Sequence, residues 1–227
     1  MKQKLLRGSV IAGALIASLH LTVSVNAHEV KDGNKVEQTH DLSGFNKISI
    51  TGVYDADIKV GGNDYSVFTS GRAKDVQWMK VYVDGDTLIL AQNEKKKKGL
   101  KTNNTQGVNV EITLPALEGL AITGVGQGHI TGIDSNRFSI EIAGVGDMEL
   151  SGRCGYLDAD IAGMGQMDAS DLKCEDVNID LAGMGQASVY ASNSVDADAA
   201  GMGNVEVYGN PDTVKKDSNF MSSVRIK

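Results

Sequence analysis

Five copies of one short motif dominate the second half of the chain. Ile122-Thr-Gly-Val-Gly-Gln127 recurs as Ile142-Ala-Gly-Val-Gly-Asp147, Ile161-Ala-Gly-Met-Gly-Gln166, Leu181-Ala-Gly-Met-Gly-Gln186 and Ala199-Ala-Gly-Met-Gly-Asn204. The leading glycines are separated by 20, 19, 20 and 18 residues. A period of this length marks architectures whose units bury their core only against their neighbours. Leucine-rich repeats have a similar period, but their ladder of Leu and Asn is missing here.

Between the motifs, apolar and polar residues alternate. Leu157, Ala159 and Ile161 stand against Asp158 and Asp160, and Val177, Ile179 and Leu181 against Asn178 and Asp180. Val195, Ala197 and Ala199 stand likewise against Asp196 and Asp198. Period two means strands with one buried face. The expected fold is therefore all-β: a right-handed parallel β-helix or solenoid of about 19-residue rungs, each reading strand, Gly-x-Gly corner, strand, turn. Paired glycines allow a bend where a Cβ would clash. A nucleotide-binding loop would need a helix after its glycines, and here a strand follows. The polar residues after the corners, Gln127, Asp147, Gln166, Gln186 and Asn204, are expected to form a hydrogen-bonded stack. Met164, Met184 and Met202 fall in one column with Val125 and Val145; thioethers suit Cu(I), but the valines argue for an apolar packing position.

The first half is less regular. Phe45 to Gly52 and Val53 to Val60 resemble a degenerate rung, and Val76 to Val83 and Thr87 to Gln92 flank an Asp-Gly-Asp turn, a hairpin signal. Val108 to Leu114 is a further strand. Residues 41–115 are expected to form a partly antiparallel cap with the first irregular rungs, 116–210 the regular rungs and 211–227 a C-terminal strand, all within one domain, 41–227. Residues 28–40 are read as a flexible leader. Residues 1–27 carry Lys2, Lys4 and Arg7 before an apolar run and end in Val25-Asn26-Ala27, the pattern of a cleaved secretory signal. His20 and Asn26 make the run too short for a membrane span, and no other stretch is long and apolar enough. The mature protein is thus expected to be exported: periplasmic, cell-surface associated or secreted.

The full chain has 22 Lys plus Arg against 29 Asp plus Glu, a net charge of −7, and loss of the signal removes three cations and no acid. So acidic a chain is not expected to bind nucleic acid, which needs a basic face. Phe-x-x-Ile-x-Ile-x-Gly at 45–52, Asp-Ala-Asp-Ile-Lys-Val at 55–60, Val-Tyr-Val-Asp-Gly-Asp-Thr-Leu-Ile-Leu at 81–90 and the serial Gly-x-Gly rungs together resemble the auto-transporter adhesin, head GIN domain family. The resemblance covers about residues 45–210. It implies a bacterial exported protein with a β-helical body, in a family of unknown function.

Cys154 and Cys174 each lie nine residues before the leading glycine of the next motif, Gly163 and Gly183. Equal register on adjacent rungs puts their Cα atoms about 5 Å apart, within disulfide range, and an exported compartment favours the bond. On the outward parity, stacking aligns Glu141, Asp160, Asp180 and Asp198 in one column, with Asp158, Asn178 and Asp196 beside it. A solvated acidic face accounts for this; Ca²⁺ at Asp160, Asp180 and Asp198 is the sharper alternative. Tyr190 and Tyr208 share a column from which they could stack on sugar rings. Glycoside hydrolysis needs two carboxylates in different environments, and a uniform ladder offers the opposite. Lys95 to Lys98 read as a solvated hairpin tip.

These residues point to a non-catalytic binding or adhesion-type module that presents an acidic face to a cell-surface or extracellular polymer or protein. The ligand candidates are Glu141, Asp158, Asp160, Asp180, Asp196, Asp198, Tyr190 and Tyr208, with no cofactor expected beyond the Ca²⁺ alternative. A polysaccharide lyase or hydrolase and a divalent-cation-binding envelope protein are the rival readings.

Overall fold

The computed structural model of the chain describes residues 25–28, 35–92 and 107–227. Residues 1–24 of the expected signal segment, residues 29–34 of the leader and the Lys95 to Lys98 run lie outside these residues. The chain is nearly all β: β1 (Val25–His28), β2 (Lys35–His40), β3 (Lys47–Val60), β4 (Ser66–Arg72), one helical turn α1 (Ala73–Val76), β5 (Met79–Asp84), β6 (Thr87–Gln92), β7 (Val108–Leu114), β8 (Gly119–Gly201), β9 (Asn204–Tyr208), β10 (Thr213–Ser218) and β11 (Ser223–Ile226). All eleven strands join one sheet.

Strand β3 divides two pairing regimes. On its N-terminal side, β1, β2, β4 and β7 pair antiparallel in that order, and β5 and β6 form the expected hairpin, with Asp84 opposite Thr87. Gly85, at φ +61°, supplies the left-handed conformation such a two-residue loop needs. Thereafter every pairing is parallel. β3 pairs with β6 and β7, and also with the start of β8 in unbroken register from Lys47↔Gly119 to Lys59↔Thr131. At the C-terminal end β8 pairs with β9 and β10, and β9 with β11.

The alternation read from the sequence decides which side chains are inside. Ile48, Ile50 and Ile58 of β3 and Leu157, Ala159, Val177, Ile179, Val195 and Ala197 of β8 are all buried. Each large aliphatic side chain so buried contributes about 1.5–3 kcal/mol relative to exposure.

Within β8 the glycines lie over one another. A Cβ on Gly144 would overlap the carbonyl oxygen of Gly124, one on Gly163 that of Gly144, and one on Gly183 that of Gly163. Gly144, Gly163 and Gly183 also have φ of +149° to +152°, which side-chain-bearing residues rarely adopt. Glycine is required here twice over, by close approach and by conformation. Cys154 and Cys174 are joined as a disulfide, with Cα atoms 4.4 Å apart.

Four local expectations are corrected. Lys35–His40, expected within a flexible leader, is strand β2, because the edge of β4 offers its backbone partners and His40 is buried with Nε2 2.9 Å from Thr69 Oγ1. Val76, expected to open a strand, closes α1, whose turn is tied by Arg72 Nε–H donating to Asp75 Oδ2 at 2.7 Å. Residues 211–227 form two strands, β10 and β11, separated by a turn at 219–222. Finally, Gly-x-Gly, expected as a corner between two strands, lies within the continuous strand β8. The glycines occupy the inward parity, so the residue between them points outward.

Candidate functional site

That unbroken parity defines the outer surface. Reading along one level of β8, Asp158, Asp160, Ala162, Met164, Gln166 and Asp168 share the side that the inward residues Leu157, Ala159 and Met167 do not. The same order recurs with the repeat, and the contacts between equivalent glycines of successive copies bring equivalent outward residues side by side in columns.

The acidic column contains Glu141, Asp160, Asp180 and Asp198, all exposed. The registry of β10 adds Asp217, directly opposite Asp198. Burial, followed by the charges of Asp160, Asp198, Asp196 and Asp158, holds the Asp180 carboxyl above the usual carboxylate range. Proximity of like charge is thus a physical property of this face. The flanking column differs. Asp158 accepts from Arg137 Nη2 at 2.8 Å and from Asn178 Nδ2 at 3.0 Å, and Asp196 accepts from Lys215 Nζ at 2.7 Å. Among the described residues, Glu141, Asp160, Asp180 and Asp198 form no ion pair.

Asp217, Lys215 and Arg137 were missed by sequence reasoning. Each sits one repeat from its neighbour, at separations of 19 to 21 residues, so the period itself was the signal.

The tyrosines have partners on the protein. Lys173 Nζ stands 4.3 Å from the centre of the Tyr190 ring, and Tyr208 O–H donates to Glu206 Oε2 at 3.0 Å. Tyr190 and Tyr208 are paired in register and half-buried. The expected amide ladder is not formed among the described residues; the bonds crossing levels there are Gln166 N–H to Asp147 Oδ1 and Ser223 O–H to Asn204 Oδ1. Exposed amides have water as an alternative partner. The Val and Met column, expected to be packing, is exposed instead: Val125, Val145, Met164, Met184 and Met202 range from 42% to 53% accessible.

Among the described residues no group of three or more His, Cys, Asp or Glu is gathered so that it could hold a metal ion. No helix among the described residues is long and apolar enough to cross a membrane.

Residues 44–211 match the family described as "putative auto-transporter adhesin, head GIN domain". The chain belongs to this family. Its GIN domain spans β3 to β9 and so contains the whole acidic column except Asp217. Among solved structures, the GIN-domain chain is similar to a "putative adhesin" from Bacteroides fragilis, with 22% identity, a TM-score of 0.71, and coverage of 86% of this chain and 98% of the other. It is also similar to a "putative lipid binding protein" from Parabacteroides distasonis, with 19% identity, a TM-score of 0.51 and coverage of 86% and 98%. At these identities the likeness is one of fold. No curated protein matches the chain.

Proposed function

We propose that this GIN-domain chain is an exported, non-catalytic binding module of adhesin type, wound as a right-handed parallel β-helix with coils of about 19 residues. On this reading residues 1–27 are a secretory signal, whose removal takes Val25–Ala27 of β1 with it, and residues 41–227 a single domain, with β2 joining it at the antiparallel end. The superposed glycines, the in-register parallel pairings and the disulfide across one repeat support the winding.

The observation that carries the functional reading is the contrast between two adjacent columns. Asp158 and Asp196 are ion-paired with Arg137 and Lys215, whereas Asp160, Asp180 and Asp198 form no close ion pair among the described residues, and Asp180 carries the repulsion of its acidic neighbours. A surface that needed only solubility would gain by neutralising both columns. An acidic strip one repeat high per charge suits an extended partner with regularly spaced cationic or hydroxyl groups, such as a cell-surface polymer or a basic protein surface.

The test compares the wild-type protein with an Asp160→Asn, Asp180→Asn, Asp198→Asn variant for retention on bacterial envelope polymer and on intact cells, alongside a glycan-degradation screen. The variant is expected to lose at least tenfold in retention, and the wild type to lose affinity as salt rises. Equal retention by the two proteins, or polymer cleavage that disappears with Asp160 and Asp180, would overturn the reading.

A further inference from the structure

Four thioethers are stacked on the outside of this molecule. Met164, Met184, Met202 and Met221 are each 46% to 59% accessible, whereas Met148 and Met167 are closed into the core at 2%. Gln186 pairs with Asn204, which sets Met202 beside Met184, and Met221 reaches the same surface cavity from the turn at 219–222 that leads into Ser223, the partner of Asn204. The superposition of Gly183 on Gly163 and of Gly185 on Gly165 extends the column to Met164. Met184, Met202 and Met221 line one surface cavity together with Asp147, Gln186 and Asn204.

Burial of apolar area does not explain this placement, because the side chains are half in water. Nor does strand propensity, which would favour the β-branched Val found at the same position in Val125 and Val145. Four successive methionines share what valine lacks, a soft, polarisable sulfur on a side chain with three rotatable bonds. The glycines on both sides of Met164, Met184 and Met202 leave no neighbouring side chain to fence the thioether in. Levels about 4.8 Å apart let flexible side chains from adjacent strands bring their sulfurs to one point.

We propose that Met184, Met202 and Met221 form a binding site for a soft monovalent cation of the Cu(I) class. Thioethers select such ions over the hard cations Ca²⁺ and Mg²⁺, which require oxygen ligands. They carry no ionisable proton, so the site works without deprotonation. The Asp147 carboxylate in the same cavity offsets the cation's charge, while Arg225, also at the cavity, opposes it. With both cysteines in the disulfide, no free thiol competes.

The probe is Ag⁺, a soft ion that needs no reductant and so leaves Cys154–Cys174 intact. The full chain, labelled at its methionine methyl groups, is titrated with silver nitrate and followed by NMR and calorimetry. The site predicts saturation at one Ag⁺ per chain, shifts at Met184, Met202 and Met221, and none at Met148 or Met167. A Met184→Val, Met202→Val, Met221→Val variant, using the residue the column carries elsewhere, is expected to bind at least tenfold more weakly with its circular dichroism unchanged. Weak independent binding at every exposed methionine without saturation near one equivalent would overturn the proposal. So would undiminished binding by the valine variant. If that variant misfolds, Met184→Leu alone, expected to lose severalfold in affinity, decides the matter.

Discussion

Cys154 and Cys174 occupy equivalent positions in successive repeats, and their disulfide closes the 20-residue separation between two levels of β8. Constraining a loop of this length in the unfolded chain stabilises the native state by about 2–4 kcal/mol. A Cys154→Ser, Cys174→Ser variant should therefore show a lower urea midpoint with an unchanged β signature. A midpoint equal to that of the wild type would mean that the bond adds nothing to the stacking.

Gly163 tests the stacking directly. A Cβ there would overlap the carbonyl oxygen of Gly144, and φ is +150°. Gly163→Ala is expected to cost at least about 3 kcal/mol, beyond the ordinary range for a one-carbon change. Ala182→Ser, at an exposed position on the outward parity, should stay within about 0.5 kcal/mol. Equal denaturation midpoints for the two variants would contradict the close approach.

Asp180 makes a pH-dependent contribution of unusual sign. Its folded-state pKa is raised, by burial first and by Asp160, Asp198, Asp196 and Asp158 next, so the native chain holds this proton more tightly than the unfolded chain. Stability from this group is present at low pH and declines as pH rises from the unfolded value near 3.8 through the folded one. Asp180→Asn should raise stability at neutral pH by a few tenths of a kcal/mol, the scale of exposed charge interactions, and the gain should shrink in high salt. Measured destabilisation by this substitution at pH 7 and low salt would refute the account.

His40 acts in the opposite direction. Burial holds its imidazole below the usual value of 6.5. The unfolded chain therefore takes up the proton first, and stability is lost as pH falls through 6.5 toward the folded-state pKa. Thermal melts between pH 7.5 and 5.5 should show a decline that His40→Gln abolishes. Persistence of the same decline in the variant would place its origin elsewhere.

Much of this was legible because period two and a repeat of about 19 residues together determine both neighbours and faces. The hairpin at Gly85 and the disulfide followed from local turn chemistry and from matched offsets. The exposed methionines were misread for a specific reason. The valines at the equivalent positions argue for an apolar packing role, whereas Asp160, Ala162, Met164 and Gln166 share the even, outward parity, which places the thioether outside. Strand β2 was obscured differently. Its polar sequence carries no burial signal of its own, and its place depends on the vacant edge of β4, a partner 29 residues from His40 at the Thr69 contact. The residues of α1, outside the regular period, follow tertiary contacts that no local pattern encodes.

Strand β10 ends the parallel region beyond β8, is exposed along its whole length and carries Lys215, Lys216 and Asp217. A ladder whose every level accepts another on top has no intrinsic stopping point, and those three charges make the last level a poor template for a copy of itself. Replacing them with threonine should let chains associate end to end through β10, seen as fibre growth by light scattering, so the charges of this exposed strand act as growth terminators.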